Sequence, residues 1–171
     1  DRIELHADGF DINGSFRLEG PEDKRVVSIS ASTTPAPLPA LKGMLPLKLM
    51  PPNAAERVMG IEPAGGSIAL TNLLITGMAD EFKGGRIFKK PGAVTASAAL
   101  EGVTFRYKGL KEPFTGISGG ILLKDNTLSV AGLSGRYGKE NIENIEGKIK
   151  DLTGKGLFNI ALSGSFDVNE A

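Results

Sequence analysis

The sequence predicts a mainly β fold, built from many short antiparallel strands in one sheet and interrupted by one helical insertion. Glycine accounts for 23 of 171 residues, about twice its usual share of roughly 7%. The glycines separate short runs in which apolar and polar residues alternate, which is typical of strands joined by tight turns. Six of the ten prolines fall between positions 35 and 52, a density that strands of a sheet do not tolerate.

The amino-terminal alternation predicts three strands. Ile3 and Leu5 share one face, and the phase shifts at Asp8-Gly9, where we expect a turn or a bulge. The pattern resumes from Phe10 to Leu18. Positions 27–32 then alternate aliphatic residues with serines, which predicts a half-buried strand with a hydroxyl-rich outer face.

The carboxyl-terminal half predicts a longer series of strands, near residues 68–76, 94–100, 103–107, 117–123, 128–130, 145–149 and 158–168. Asp125-Asn126 lies between two of them, and both residue types tolerate positive φ, so we expect a tight hairpin there. The glycine run 132–138 is interpreted as a turn. A faint internal repeat relates the order of strands near the start to the order near the end, as in a repeating sheet.

Residues 35–65 are predicted to form a short helical insertion lying against the sheet. Leu38, Leu41 and Leu45 are spaced for one helical face. Asn53 followed by Glu56 resembles a capping box, and Gly60 is placed to end a helix of about two turns.

Composition excludes several classes of function. The 20 basic and 20 acidic side chains balance, which argues against nucleic acid as a partner because DNA binding needs concentrated positive charge. The cluster Arg86, Lys89 and Lys90 is interpreted as a solvated loop. No cysteine is present and His6 is the only histidine, so thiol chemistry and zinc sites with several histidines are excluded.

Candidate catalytic residues are correspondingly few. His6 is predicted on the polar face of the first strand, without a local acid to position it. Two acidic groups are Asp80-Glu81 and the series at 140, 143 and 146. Lysines lie among the second group, and both are interpreted as solvated surface charge, as at the edge of a hairpin. We therefore predict no catalytic site, no metal site, no cofactor and no enzyme activity.

Seven stretches share a pattern of glycines and alternating aliphatic residues: LPLKL at 45–49, GSIALTNL at 66–73, LEGVTFRY at 100–107, EPFTGISGGILL at 112–123, NTLSV at 126–130, GRYG at 135–138 and IEGKI at 145–149. Together they resemble the repeating pattern of AsmA-like proteins, over most of residues 40–170. The resemblance implies an elongated, curved antiparallel sheet, a groove or open half-barrel. It further implies a periplasmic segment, residues 1–171, of a longer protein anchored in the inner membrane. Because the chain starts at Asp1 rather than Met, its natural amino terminus is expected upstream.

The family implies a function without catalytic residues: binding phospholipid acyl chains in an apolar groove and supporting lipid transport to, or assembly of, the outer membrane. Its partners would be phospholipid or another acyl-chain lipid and neighbouring repeats of the same chain. Alternation predicts which residues face the groove. They are Ile3, Leu5, Val27, Ile29, Ile68, Leu70, Phe105, Ile121, Leu128, Val130, Ile149, Ile160 and Leu162.

The same alternation also fits a closed β-sandwich or barrel, whose dry core needs one apolar face on every strand. The pattern alone favours such a closed core, and the resemblance to AsmA-like proteins reverses that preference. The alternative function is then a structural or adhesive β-repeat module with a closed core that binds a protein or glycan.

Overall fold

The computed structural model describes residues 1–7, 9–45, 47, 50, 52–152 and 157–162. These residues form one curved, open antiparallel sheet with a few short helices. The strands are β1 (Arg2–Ala7), β2 (Phe10–Glu19), β3 (Val26–Thr33), β4 (Ala36–Pro37), β5 (Ile61–Met78), β6 (Val94–Tyr107), β7 (Phe114–Lys124), β8 (Thr127–Tyr137), β9 (Glu140–Lys150) and β10 (Leu157–Leu162). The helices are α1 (Leu38–Met44) and α2 (Pro52–Met59), and 3-10 turns span Glu22–Lys24 and Ala79–Lys89.

Strand order follows the chain. Nine strands pair in the order β1, β2, β3, β5, β6, β7, β8, β9, β10, and the two-residue β4 pairs with β5 beyond the end of β3. Every pairing is antiparallel. The prediction of a mainly β, open antiparallel sheet with a helical insertion is confirmed.

The hairpin predicted at Asp125-Asn126 is confirmed. The two residues have φ of 50° and 56°, the left-handed pair that a two-residue turn requires and that Asp and Asn adopt readily. The Asp125 carboxylate also accepts a hydrogen bond of 2.6 Å from the backbone N–H of Gly92, which ties this turn to the start of β6.

The insertion is shorter than predicted at its carboxyl end. Gly60 follows α2 as expected, but β5 begins at Ile61 and runs through Pro63. The proline is tolerated because it lies beside a register shift in the pairing with β6. The predicted cap is also displaced, since α2 starts at Pro52 and Asn53 lies inside its first turn. Proline is favoured at that first position because its missing N–H has no partner there anyway.

Two other segments differ from the expected loops and turns. Gly132 and Gly135 lie within β8 rather than in a turn. In the basic cluster, Arg86 and Lys89 lie in the 3-10 segment Ala79–Lys89, and Lys90 follows it. Arg86 contacts Asp80, and Lys90 contacts Glu81 at 2.8 Å.

Candidate functional site

The register of the sheet brings the predicted groove residues to a single face. Residues directly opposite each other in antiparallel strands share a face, and the pairings connect strand to strand without a change of side. One such row passes through Ile3, Gly14, Ala31, Leu73, Ala96, Leu123, Leu128, Ile149 and Phe158. We call this side the apolar face, and it includes all thirteen predicted positions.

Two of the thirteen positions are assigned by register alone. Ile160 lies opposite Gly147 and Leu162 opposite Ile145, while their side chains lie outside the described part of the structure. The other eleven have described side chains.

The sheet that carries the apolar face is open. All described strands belong to one sheet, so no second sheet of the described residues covers this face. Of the eleven side chains, only Val27 is buried, Ile3 and Leu5 are 42% and 52% exposed, and the rest are half-buried. A closed sandwich would bury most of them, so the closed-core expectation does not hold for the described residues.

A row of β-bulges crosses four adjacent strands of the sheet. The tetrapeptides LEGV (100–103), FTGI (114–117), VAGL (130–133) and IENI (142–145) lie in β6, β7, β8 and β9. The third residue of each has φ between 52° and 63°, and the register between neighbouring strands shifts at each of them. Bulges bend strands and increase their twist, so four adjacent strands bend at the same level.

The residue that follows each bulge lies on the apolar face. Val103, Ile117 and Leu133 are only 2%, 4% and 9% exposed, although they belong to a single-layered sheet. Neighbouring strands shield them, and Leu133 packs directly on Gly119, where a Cβ would come within 2.8 Å of its Cδ2. Buried side chains on this side indicate that the sheet bends toward the apolar face, which therefore lines a trough.

A contact between opposite strand ends supports the bending. The Arg57 guanidinium of α2 donates a hydrogen bond of 3.4 Å to the carbonyl oxygen of Leu152, which follows β9. Arg57 is four residues from the start of β5, and four residues span at most about 14 Å. Leu152 lies at the other end of the strands, bonded through its N–H to Asn126. The eleven residues of β8 would separate those ends by about 36 Å if the strand were straight.

The trough is partly capped at one end. Ile87 of the 3-10 segment is 2% exposed and packs with Ala93 and Val94 against Ile75 and Leu123. It fits because Gly77 has no side chain, since a Cβ there would lie 2.2 Å from the Ile87 Cδ1. At the opposite strand ends, Phe105 stacks on Phe114 with ring centroids 5.0 Å apart, and Phe114 contacts the Tyr137 ring at 5.1 Å.

The titratable residues singled out in the sequence form surface pairs. The hairpin of β1 and β2 places His6 Nδ1 2.7 Å from Asp11 Oδ1, with both side chains exposed. Sequence reasoning missed this acid because the pairing depends on the register of β1 and β2. The Thr34 hydroxyl nearby accepts from the Asp11 backbone N–H.

The pKa of one carboxyl group, that of Glu81, is lowered. The Lys90 ammonium, hydrogen-bonded to Glu81, lowers the pKa of that carboxyl below 4.5, and the bond from the Met78 backbone N–H acts in the same direction. Within the described ranges, no group of three or more His, Asp or Glu side chains could hold a metal ion.

Comparison with protein-family models, with curated proteins and with solved structures found no match. Among the described residues, no helix is both long enough and apolar enough to cross a membrane.

The bulge row is the main feature of the site that sequence reasoning missed. Its signal in the sequence is a four-residue pattern that occurs in four consecutive strands. The first and fourth residues are apolar, the second can be any residue, and the third is glycine or asparagine. Strict alternation breaks at each copy, which is why the strand near 94–107 was predicted as two separate strands.

Proposed function

We propose that the trough binds the acyl chains of phospholipid and that the chain is a segment of a lipid-conducting path in the bacterial periplasm, within a protein anchored in the inner membrane. The observation that carries the proposal is the open apolar face, which continues across nine strands. Apolar area exposed to water costs about 25 cal/mol per Å², and large contiguous exposed patches mark binding surfaces.

The dimensions of the trough support a lipid tail as the occupant. Nine strands at about 4.8 Å spacing give a trough of about 38 Å across the strands. Two leaflets of lipid tails together span about 30 Å, so the trough is longer than one set of tails. Each methylene group transferred from water to the apolar face contributes about 0.8 kcal/mol.

The proposed mechanism has no covalent step. Aliphatic side chains offer no fixed polar partner, so an acyl chain exchanges one set of contacts for an equivalent set as it slides. The polar headgroup would stay outside the apolar face, so that its burial against aliphatic side chains is avoided. The resemblance to AsmA-like proteins supplies the cellular setting, including support of the outer membrane.

Phospholipid that copurifies with the full chain, measured by mass spectrometry, tests the proposal. Ile121 faces the trough, while its neighbour Leu122 lies on the outer face and is 41% exposed. Ile121→Asp should weaken lipid binding about ten- to hundredfold, since the loss of an isoleucine contact alone is worth roughly 1.5 to 3 kcal/mol. Leu122→Asp should bind like the wild type.

Both variants are first compared with the wild type by circular dichroism to establish that the sheet is retained. Wild-type chain without bound phospholipid would contradict the proposal. So would an equal loss, or an equal retention, of lipid in the two folded variants.

A further inference from the structure

A charged cavity lies at the strand ends beside the trough. Its volume is about 710 Å³, and its lining includes Glu56 and Arg57 of α2, Tyr107 at the end of β6, and Lys108. Two cations, one carboxylate and one aromatic ring therefore face the same space.

Backbone hydrogen bonds hold these side chains in place. The Lys108 N–H donates to the Gly60 carbonyl at 2.9 Å, and the Gly60 N–H donates to the Glu56 carbonyl at 3.0 Å. The Tyr107 ring lies against Gly60, where a Cβ would be 3.4 Å from its Cε2. The end of α2 and the end of β6 are thus joined at the cavity.

The cavity adjoins the apolar face through Tyr107. This residue pairs with Ile61 at the start of β5 and follows Phe105 by two positions on the same side of β6. Its half-buried ring continues the aromatic row of Phe105, Phe114 and Tyr137. Tyrosine is suited to such a boundary because it has an apolar ring and a polar hydroxyl.

Arg57 connects the cavity to the opposite side of the trough. Its guanidinium donates to the Leu152 carbonyl, so the cavity lies near the residue that follows β9 as well as near the ends of β5 and β6. A headgroup whose tails lie on the apolar face would therefore emerge close to these charges.

We propose that this cavity binds the headgroup of an aminophospholipid, with the phosphate at Arg57 and Lys108 and the primary ammonium at Glu56. The inference rests on the proposed function, because it takes the acyl chains to lie in the trough. A guanidinium and an ammonium are strong phosphate donors, and a carboxylate completes the match for a zwitterion. Glu56 carries the one carboxylate among the described lining residues, so the headgroup amine would bind there.

The experiment measures the affinity of the full chain for three ligands with the same acyl chain: phosphatidylethanolamine, phosphatidylglycerol and the free fatty acid. The wild type should prefer phosphatidylethanolamine about five- to tenfold over phosphatidylglycerol. Glu56→Gln should abolish that preference. Arg57→Gln combined with Lys108→Gln should weaken both phospholipids about tenfold. Fatty-acid binding should change less than phospholipid binding in every variant.

Lys111→Gln is the matched control, because Lys111 is an exposed cation in the turn after β6 and should change none of the affinities. Soluble glycerophosphoethanolamine separates a lipid headgroup site from a site for free phosphate compounds, and it should bind far more weakly than the diacyl lipid.

The outcomes distinguish the two proposals. If the fatty acid binds but the variants leave headgroup preference intact, the cavity assignment is wrong and the trough stands. If glycerophosphoethanolamine binds as tightly as the lipid, the cavity is not a lipid headgroup site. If neither the fatty acid nor the phospholipids bind, the proposed function and this inference both fail.

Discussion

Gly119 and Gly120 are adjacent in β7, and the structure predicts opposite responses to the same substitution. A Cβ on Gly119 would lie 2.8 Å from the Gly132 carbonyl oxygen and from Leu133 Cδ2, and 3.0 Å from Leu133 Cα. A Cβ on Gly120 would meet no atom within 4 Å. Gly119→Ala therefore tests the close packing of β7 on the bulge of β8, and Gly120→Ala controls for the loss of a glycine.

The cost of Gly119→Ala has two parts. Carbon atoms pack at about 3.5 to 4.0 Å, so β7 and β8 must separate by about 0.5 to 1 Å, and overpacking of this kind costs about 1 to 3 kcal/mol. Gly119 also has φ of 137°, a region that costs a residue with a side chain about 1 to 3 kcal/mol. The free energy of unfolding should fall by about 2 to 5 kcal/mol. Gly120→Ala should leave it unchanged or raise it by up to about 1 kcal/mol.

Urea unfolding of the full chain, followed by far-UV circular dichroism, measures both variants. With a slope of about 1 to 3 kcal/mol per M, the midpoint for Gly119→Ala should lie about 0.7 M or more below that for Gly120→Ala. Midpoints within about 0.3 M of each other would refute the packing of Leu133 on Gly119 and, with it, the account of how the sheet bends.

Three further predictions use the same unfolding measurement. Ile87→Ala should lower the free energy of unfolding by about 2 to 5 kcal/mol because the side chain is 2% exposed. Leu74→Ala is the control: this side chain is 45% exposed on the outer face, and its loss should change stability by less than about 0.5 kcal/mol. Equal costs would contradict the capping role of the 3-10 segment. Glu81→Gln should be less stable than the wild type at pH 7, because the folded protein favours the ionised carboxylate paired with Lys90 and so lowers its pKa. The difference should shrink as the pH falls below 4.5 and through the lowered pKa, and a difference that stays constant below 4.5 would be inconsistent. Gly132→Val should lower the free energy of unfolding by about 1 to 2 kcal/mol more than Gly132→Asn, since φ of 61° at this position suits asparagine but not a β-branched residue. Similar stabilities of the two variants would argue against the bulge geometry.

Local patterns were sufficient to predict the strands and their apolar faces. Period-two alternation assigns a side to each residue, and Asp125-Asn126 reveals a hairpin because its backbone conformation depends on those two residues alone. The end of α2 could likewise be predicted from Gly60. These features depend on interactions between residues close in sequence.

Features that depend on distant residues could not be predicted. The bulge at Gly102 inserts one extra residue relative to the neighbouring strands, and the sequence pattern there was interpreted as a break between strands. The pairing of His6 with Asp11 required the register of β1 and β2. The approach of Arg57 to Leu152 follows only once four strands have bent together, and the cavity beside α2 depends on that same bending.

The central claim is that the apolar face, and not the outer face, holds lipid tails. Photocrosslinking side chains at Val130 and at its neighbour Ser129 test this most directly, because the register places Val130 with Ile121 on the apolar face and Ser129 with Leu122 on the outer face. In cells, the probe at Val130 should capture phospholipid, identified by mass spectrometry, and the probe at Ser129 should capture little or none. Capture at neither position, or equal capture at both, would contradict the account.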